Sequence, residues 1–174
     1  TVINNLVIIE KRNELICKLL LDCANNGRKT ILLSDRRNHC ELLHELIKQR
    51  MPKFTSGLYM GGMKQDKLDE SEKCDIILAT FSLAHEGLDI PSLDTLILST
   101  PKTDIVQSCG RILRETKGKK NNPLIIDICD MYASLPAQAN KRKKYYNESG
   151  FIIDGKIKQK NTHKQETGYC FIEE

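Results

Sequence analysis

The sequence predicts an α/β domain in three layers, a parallel sheet with helices on both faces. Three observations lead there. The chain has 174 residues, 40% of them hydrophobic and 29% charged, which suits one globular core better than two. Short apolar runs recur along it, such as Ile31-Leu32-Leu33, Asp75 to Ala79 and Leu124 to Ile128, and such runs mark strands buried on both faces. Between them lie segments with apolar residues at helical spacing, and alternation of strand and helix is the pattern of a parallel sheet, whose crossovers are helices.

The elements follow in order. Asn13 to Asn26 is a helix, because Leu15, Ile16, Leu19, Leu20 and Cys23 share one face and Gly27 stops it. Lys29 to Ser34 is a buried strand. Asn38 to Arg50 is helical again, with Cys40, Leu43, Leu46 and Ile47 on one side. Phe54 to Met60 is a strand ending at Gly61-Gly62, Lys64 to Glu72 a polar helix, and Asp75 to Ala79 a further short strand. Pro91 precedes a strand over Thr95 to Leu98, and Asp104 is placed to cap a helix running to Glu115. Leu124 to Ile128 is one more strand and Pro136 to Ser149 a last, basic helix. Lys117 to Asn122 is a polar loop. Beyond Gly155 the periodicity fades, so residues 1–155 are expected to form the domain and 156–174 a basic, mobile tail.

Composition excludes several classes. No apolar run approaches the roughly 20 residues that span a bilayer, so no membrane partner is expected. Thr1 to Glu10 lack a basic stretch, a long apolar core and a cleavage site, so nothing indicates secretion. The seven cysteines are odd in number, scattered and without a C-x-x-C pair. They read as buried free thiols in a reducing compartment, with no metal site. The net charge is +4, and from Lys141 onward eight Lys/Arg face five Asp/Glu. A basic tail is compatible with nucleic acid, and equally with a solvated surface.

In open α/β sheets ligands gather at the carboxyl ends of the strands. Ser34-Asp35-Arg36-Arg37, Gly61-Gly62-Met63, Ala79-Thr80-Phe81-Ser82 with Glu86-Gly87-Leu88-Asp89-Ile90-Pro91, and Ser99-Thr100-Pro101 all stand there. The sharpest signal is Gln107-Ser108-Cys109-Gly110-Arg111-Ile112-Leu113-Arg114. Gln107, Gly110, Arg111 and Arg114 fall at i, i+3, i+4 and i+7, on one helix face. That face carries an amide, two guanidinium groups and a glycine that allows close approach, and guanidinium suits bidentate contact with phosphate. The alternative is two solvated arginines on a surface helix.

The Q-x-x-G-R-x-x-R pattern, preceded by A-T-x-x-x-x-x-E-G-x-D-x-P after a strand, resembles the second, C-terminal RecA-like domain of superfamily 2 helicases. Gln107 to Arg114 matches that family's motif VI, Thr80 to Asp89 its motif V and Ile31 to Arg36 its motif IV, in order along Lys29 to Asp130. The strings LLSDRR, YMGGMK, EGLDIPSLDTLILSTP and GRILRE are similar to helicases of large DNA viruses and phages, among them the poxvirus transcript-release group and its asfarvirus counterpart. The expected setting is the reducing, cytoplasmic compartment that the cysteines suggest or, on that similarity, a viral factory or virion.

The resemblance implies a role for each position. Arg111 and Arg114 are the expected arginine fingers at the γ-phosphate of ATP, with Gln107 beside the phosphates. Gly87, Asp89 and Gly110 approach the nucleotide. Ser34, Arg36, Thr80 and Ser82 hold the sugar-phosphate backbone of one strand, DNA in preference to RNA, and Gly61 and Gly62 offer backbone N–H groups at a helix start. Each has a plainer alternative: Thr80 as a turn cap, Gly61-Gly62 as a tight turn, Asp89 as a turn former before Ile90-Pro91. His85 reads as structural. Neither a P-loop nor an acidic Mg²⁺-binding box is present, and Gly27-Arg28-Lys29-Thr30 leads into a strand instead of following one. The family holds ATP and Mg²⁺ mainly on an N-terminal RecA-like domain, so this chain is expected to be one half of a motor and nearly inactive alone. Lys141-Arg142-Lys143-Lys144-Tyr145-Tyr146 either tracks a phosphate backbone or forms a solvated face with packed tyrosines. The rival functions are a catalytically silent nucleic-acid-binding module and a partner-docking domain on the same scaffold.

Overall fold

The chain runs α1 (Val2–Leu6), α2 (Glu10–Asn25), β1 (Thr30–Ser34), α3 (Arg37–Arg50), β2 (Ser56–Tyr59), α4 (Gln65–Glu72), β3 (Ile76–Thr80), α5 (Phe81–Glu86), β4 (Thr95–Leu98), α6 (Val106–Ile112), β5 (Leu124–Asp130), α7 (Leu135–Glu148), β6 (Ile152–Asp154) and β7 (Thr167–Glu173). The structure is a computed structural model that describes residues 1–86, 88–112, 119–154 and 167–173, with backbone alone for 111–112 and 167–173. The strands make one sheet in the order β2-β3-β1-β4-β5-β7-β6. β1 to β5 are mutually parallel, and β7 runs antiparallel to both β5 and β6. The parallel core bears out the three-layer α/β expectation.

The alternation of side chains explains why the apolar runs are continuous. Ile31, Leu33, Ile77, Ala79, Leu96, Leu98 and Ile125 face one layer, with α5, α6 and α7. Leu32, Ile76, Leu78, Ile97, Leu124, Ile126 and Ile128 face the other, with α2 and α3. A strand clothed on both sides has no polar face to show in sequence.

Local chemistry sets the element ends. α2 closes in a Schellman motif: Gly27 takes φ +67°, its N–H bonds to Ala24 C=O, and the Arg28 N–H bonds to Cys23 C=O at 3.1 Å. Asp104, expected as the cap of α6, lies one residue outside the cap position: its Oδ1 accepts the Val106 N–H at 3.4 Å, while the first helical bond runs from the Cys109 N–H to Ile105 C=O. Gly57 lies where α4 crosses β2, and a Cβ there would come within 2.7 Å of the Ser71 backbone.

Two acids inside β5 pin helices to opposite faces. Asp130 binds Arg12 of α2 twice, at 2.8 and 2.9 Å, and Asp127 binds Arg142 of α7 twice, at 2.7 and 2.8 Å. All four side chains are buried, and the bidentate geometry is what makes buried charge tolerable. Arg142 and Tyr146 of the basic helix are therefore interior residues, and the stretch Lys141–Tyr146 resolves into exposed lysines over packed ones.

Several elements differ from expectation. α1 and α5 are too short for a helical period to register in sequence. Residues 167–173, expected within a mobile tail, form β7 along the whole of β5. Their partner is far upstream in the chain, and local periodicity carries no information about such pairing. Leu113 to Glu115, the expected end of the α6 helix, lie outside the described residues. No disulfide joins the cysteines whose side chains are described, and burial pushes the thiols of Cys23, Cys40 and Cys109 up to about 11, 12 and 12, as inert core residues require.

Candidate functional site

The chain leaves β1 for β2 and β3 on one side, then crosses to β4 on the other, so the loops at the carboxyl ends of these strands part. A cleft of about 270 Å³ opens there, lined by Asp35 and Arg37 after β1, Gly61 after β2, Thr80, Phe81, Ser82 and His85 from β3 into α5, and Lys102 after β4. Four strand ends thus contribute to one opening.

Its polar groups are held in place. The Asp35 N–H donates to Thr100 Oγ1 at 2.8 Å, and its carboxylate lies 3.6 Å from Lys102 Nζ. Lys102 Nζ also sits 5.3 Å above the Phe81 ring centroid, a cation–π position. Arg37 donates to Gly61 C=O at 2.6 Å, bridging the loops after β1 and β2. Thr80 Oγ1 and Ser82 Oγ stand 3.2 Å apart, and His85 Nε2 is 3.4 Å from Ser108 Oγ on α6. Two cations, one carboxylate and paired hydroxyls in an open cleft suit a phosphodiester, which offers charge and acceptors without needing an enclosed pocket.

The positions expected from sequence divide into three groups. Gly61, Thr80 and Ser82 come together in the cleft. Ser34, Arg36 and Gly62 do not. Ser34 is 0% exposed, because its hydroxyl points inward to His39 and cannot reach a ligand. Arg36 turns to the N-terminal segment, with Nε donating to Asn4 Oδ1 at 2.7 Å and another nitrogen to its neighbour Asp35 at 2.6 Å. Gly62, at φ +80°, is the corner of a turn closed by the Met63 N–H on Met60 C=O, so the glycine pair serves the turn and α4 starts later. The last group concerns the nucleotide. Gln107 and Gly110, two members of the expected face, are exposed on α6 while Ser108 and Cys109 are buried. A Cβ on Gly110 would meet nothing within 4 Å. Arg111 is placed on α6 by its backbone; its side chain, and all of Gly87 and Arg114, lie outside the described residues. Asp89 is exposed between the buried anchors Leu88 and Ile90.

Arg37, Lys102 and Asp35 are site residues the sequence reading did not single out. Arg37 had a signal, standing next to Arg36 in the same post-strand loop. Which arginine turns inward depends on where α3 begins, and that is at Arg37. Among the described residues no three His, Cys, Asp or Glu side chains converge as metal ligands.

Under the loop lies a chain of buried polar groups. His39 Nε2 is 3.0 Å from Asn13 Oδ1, and Asn13 Nδ2 donates to Val7 C=O at 2.9 Å. The Asn13 oxygen can only accept, so His39 carries its proton on Nε2 and its Nδ1 accepts from Ser34 Oγ at 3.0 Å. Burial, aided by the Arg12 charge, pushes the His39 pKa down to about 3 from its ordinary 6.5. The unfolded chain therefore binds a proton that the folded one refuses. His39 leaves stability unchanged above about pH 7 and lowers it as pH drops from about 6.5 towards 3, by up to about 1.4 kcal/mol per unit. Urea titrations at pH 7.5 and 5.0 should differ by about 2 kcal/mol in wild type, and His39→Gln should remove most of that difference.

Comparison with known proteins adds the following. Residues 11–116 match the helicase conserved C-terminal domain family. A candidate ATP-dependent RNA helicase of Acanthamoeba polyphaga mimivirus, L396, is 38% identical over 167 residues, covering 91% of this chain and 32% of that protein. Another, QP509L of African swine fever virus, is 28% identical over 97 residues, 55% of this chain and 19% of that protein. The chain thus spans about a third or less of the relatives it matches. In fold it is similar to the C-terminal domain of the DEAD-box protein Dbp5, with a TM-score of 0.61 at 14% identity over 80% of this chain and 81% of that one.

Proposed function

The chain belongs to the helicase conserved C-terminal domain family, and on that premise we propose that it is the C-terminal motor domain of an ATP-dependent nucleic-acid helicase or translocase of the superfamily 2 type. It works as part of a longer polypeptide whose N-terminal RecA-like domain holds most of ATP and its Mg²⁺. The relatives' greater length and their naming as ATP-dependent helicases support this. The open α6 face fits the outer side of such a nucleotide. Gln107 and Gly110 permit approach, Arg111 and Arg114 bring positive charge to the transferring phosphoryl group, and Gly87 and Asp89 flank the sugar. ATP supplies the driving force when bound; this domain supplies charge and closure. Alone it turns ATP over poorly, because its sequence holds neither a P-loop nor an acidic Mg²⁺-binding box.

The cleft carries the second half of the proposal. Gly61, Thr80 and Ser82, three residues expected to touch one strand, meet there with Arg37 and Lys102. Hydroxyls and cations that read backbone are indifferent to sequence, and their binding weakens with salt. A labelled oligo-dT or oligo-U strand should bind, and Arg37→Ala should weaken binding on either track and flatten the log–log salt slope by about 0.7, one single-strand phosphate contact. An unchanged slope would remove the cleft as the strand's path. Comparing the two strands also decides between DNA, favoured from sequence, and the RNA named for the viral relatives.

A further inference from the structure

We infer that His39 is a positioning residue: buried beneath the β1–α3 loop between Ser34 and Asn13, it sets the conformation of Asp35–Arg37 and with it the cleft's hold on a single strand. The inference rests on the cleft being the strand site. His39 itself is 1% exposed and cannot touch a strand.

The argument runs outward from the ring. Both ring nitrogens are engaged, each at 3.0 Å, with Ser34 on one side and Asn13 on the other. Ser34 Oγ in turn accepts the Arg36 backbone N–H at 3.2 Å. The loop backbone is thus tied through three buried side chains to Val7 C=O, at the turn between α1 and α2. From outside, Asn4 holds the Arg36 side chain to the same N-terminal segment. The loop between these fastenings contributes Asp35 to the cleft, and it sets the start of α3, which contributes Arg37. Buried polar chains are stable only when every member is satisfied, so removing one member loosens the rest. The Asp35 N–H keeps its bond to Thr100 Oγ1, so what the loss releases is the Arg36 backbone at the start of α3. Ser34 therefore matters to the strand without meeting it.

The test uses the longer polypeptide carrying this domain, measuring strand affinity and strand-stimulated ATP turnover. His39→Ala and Ser34→Ala should each raise the strand Kd and KM about fivefold to tenfold, as for one or two lost hydrogen bonds, with kcat at saturating strand unchanged. The double variant should be no worse than either single one. His39→Gln, which keeps a neutral donor and acceptor, should recover most of the affinity. A purely structural role predicts kcat falling together with thermal stability, and that result overturns the inference. So does a His39→Ala protein that binds like wild type, or a double variant whose losses multiply. Arg37→Ala is the control: if it weakens binding and His39→Ala does not, this inference alone fails; if neither does, the strand site is elsewhere.

Discussion

Replacing Arg111 with alanine in the longer polypeptide should lower nucleic-acid-stimulated ATP turnover by about 10³ to 10⁵, with strand affinity near that of wild type. The reasoning starts from α6. Cys109 is buried in the core and Ser108 beside His85 of α5, while Gln107 and Gly110 are exposed, and by spacing Arg111 falls at i+4 from Gln107. An exposed amide and a glycine beside an arginine leave room for a second surface to close on the helix. A guanidinium brought up to a phosphoryl group in a water-excluded site stabilises charge that develops only in the transition state, so its loss falls on kcat. Arg111→Lys keeps the charge but loses the planar fork, and should restore only a small part of the rate. Unchanged turnover in Arg111→Ala would make the face ordinary surface and the domain a binding module.

Asp127→Ala should cost about 3 to 5 kcal/mol of folding stability. Asp127 binds Arg142 through both oxygens and also accepts the Tyr146 hydroxyl at 3.0 Å. Burial works against the Arg142 charge, yet the carboxylate outweighs it and holds the guanidinium pKa above its ordinary value. Without Asp127, that cation stays in the interior with only the Lys102 carbonyl for a partner among the bonds described. The exposed pair Lys144–Glu148, at 3.7 Å, is the contrast: Lys144→Ala should change stability by no more than about 0.5 kcal/mol. Urea denaturation of the two variants measures both. A cost near that of Lys144→Ala would mean that apolar packing, including Tyr146 against Phe151, secures α7 by itself.

Much of the site was legible because its residues lie where short-range signals act. Thr80, Ser82 and Gly61 follow apolar runs, and the place after a buried parallel strand is where such folds bind ligands. Gln107, Gly110 and Arg111 share a helix face by spacing alone. Ser34 and Arg36 were legible as loop residues but not in their roles. A serine after a strand looks the same whether its hydroxyl points at solvent or at a histidine five residues on. Lys102 was hidden for the opposite reason, since surface cations are common and only convergence singles one out, and Arg37 was visible in its loop but not told apart from Arg36.

Period and composition by themselves determined the layered α/β core, the limits of most helices and the open face of α6, because each depends on neighbours within a few positions. Tertiary structure decided the rest. The strand order, the pairing of residues 167–173 with β5, the two buried ion pairs and the turn of Ser34 toward His39 all join residues distant in sequence. Their energies depend on burial and on partner geometry, quantities that exist only once the chain has closed on itself.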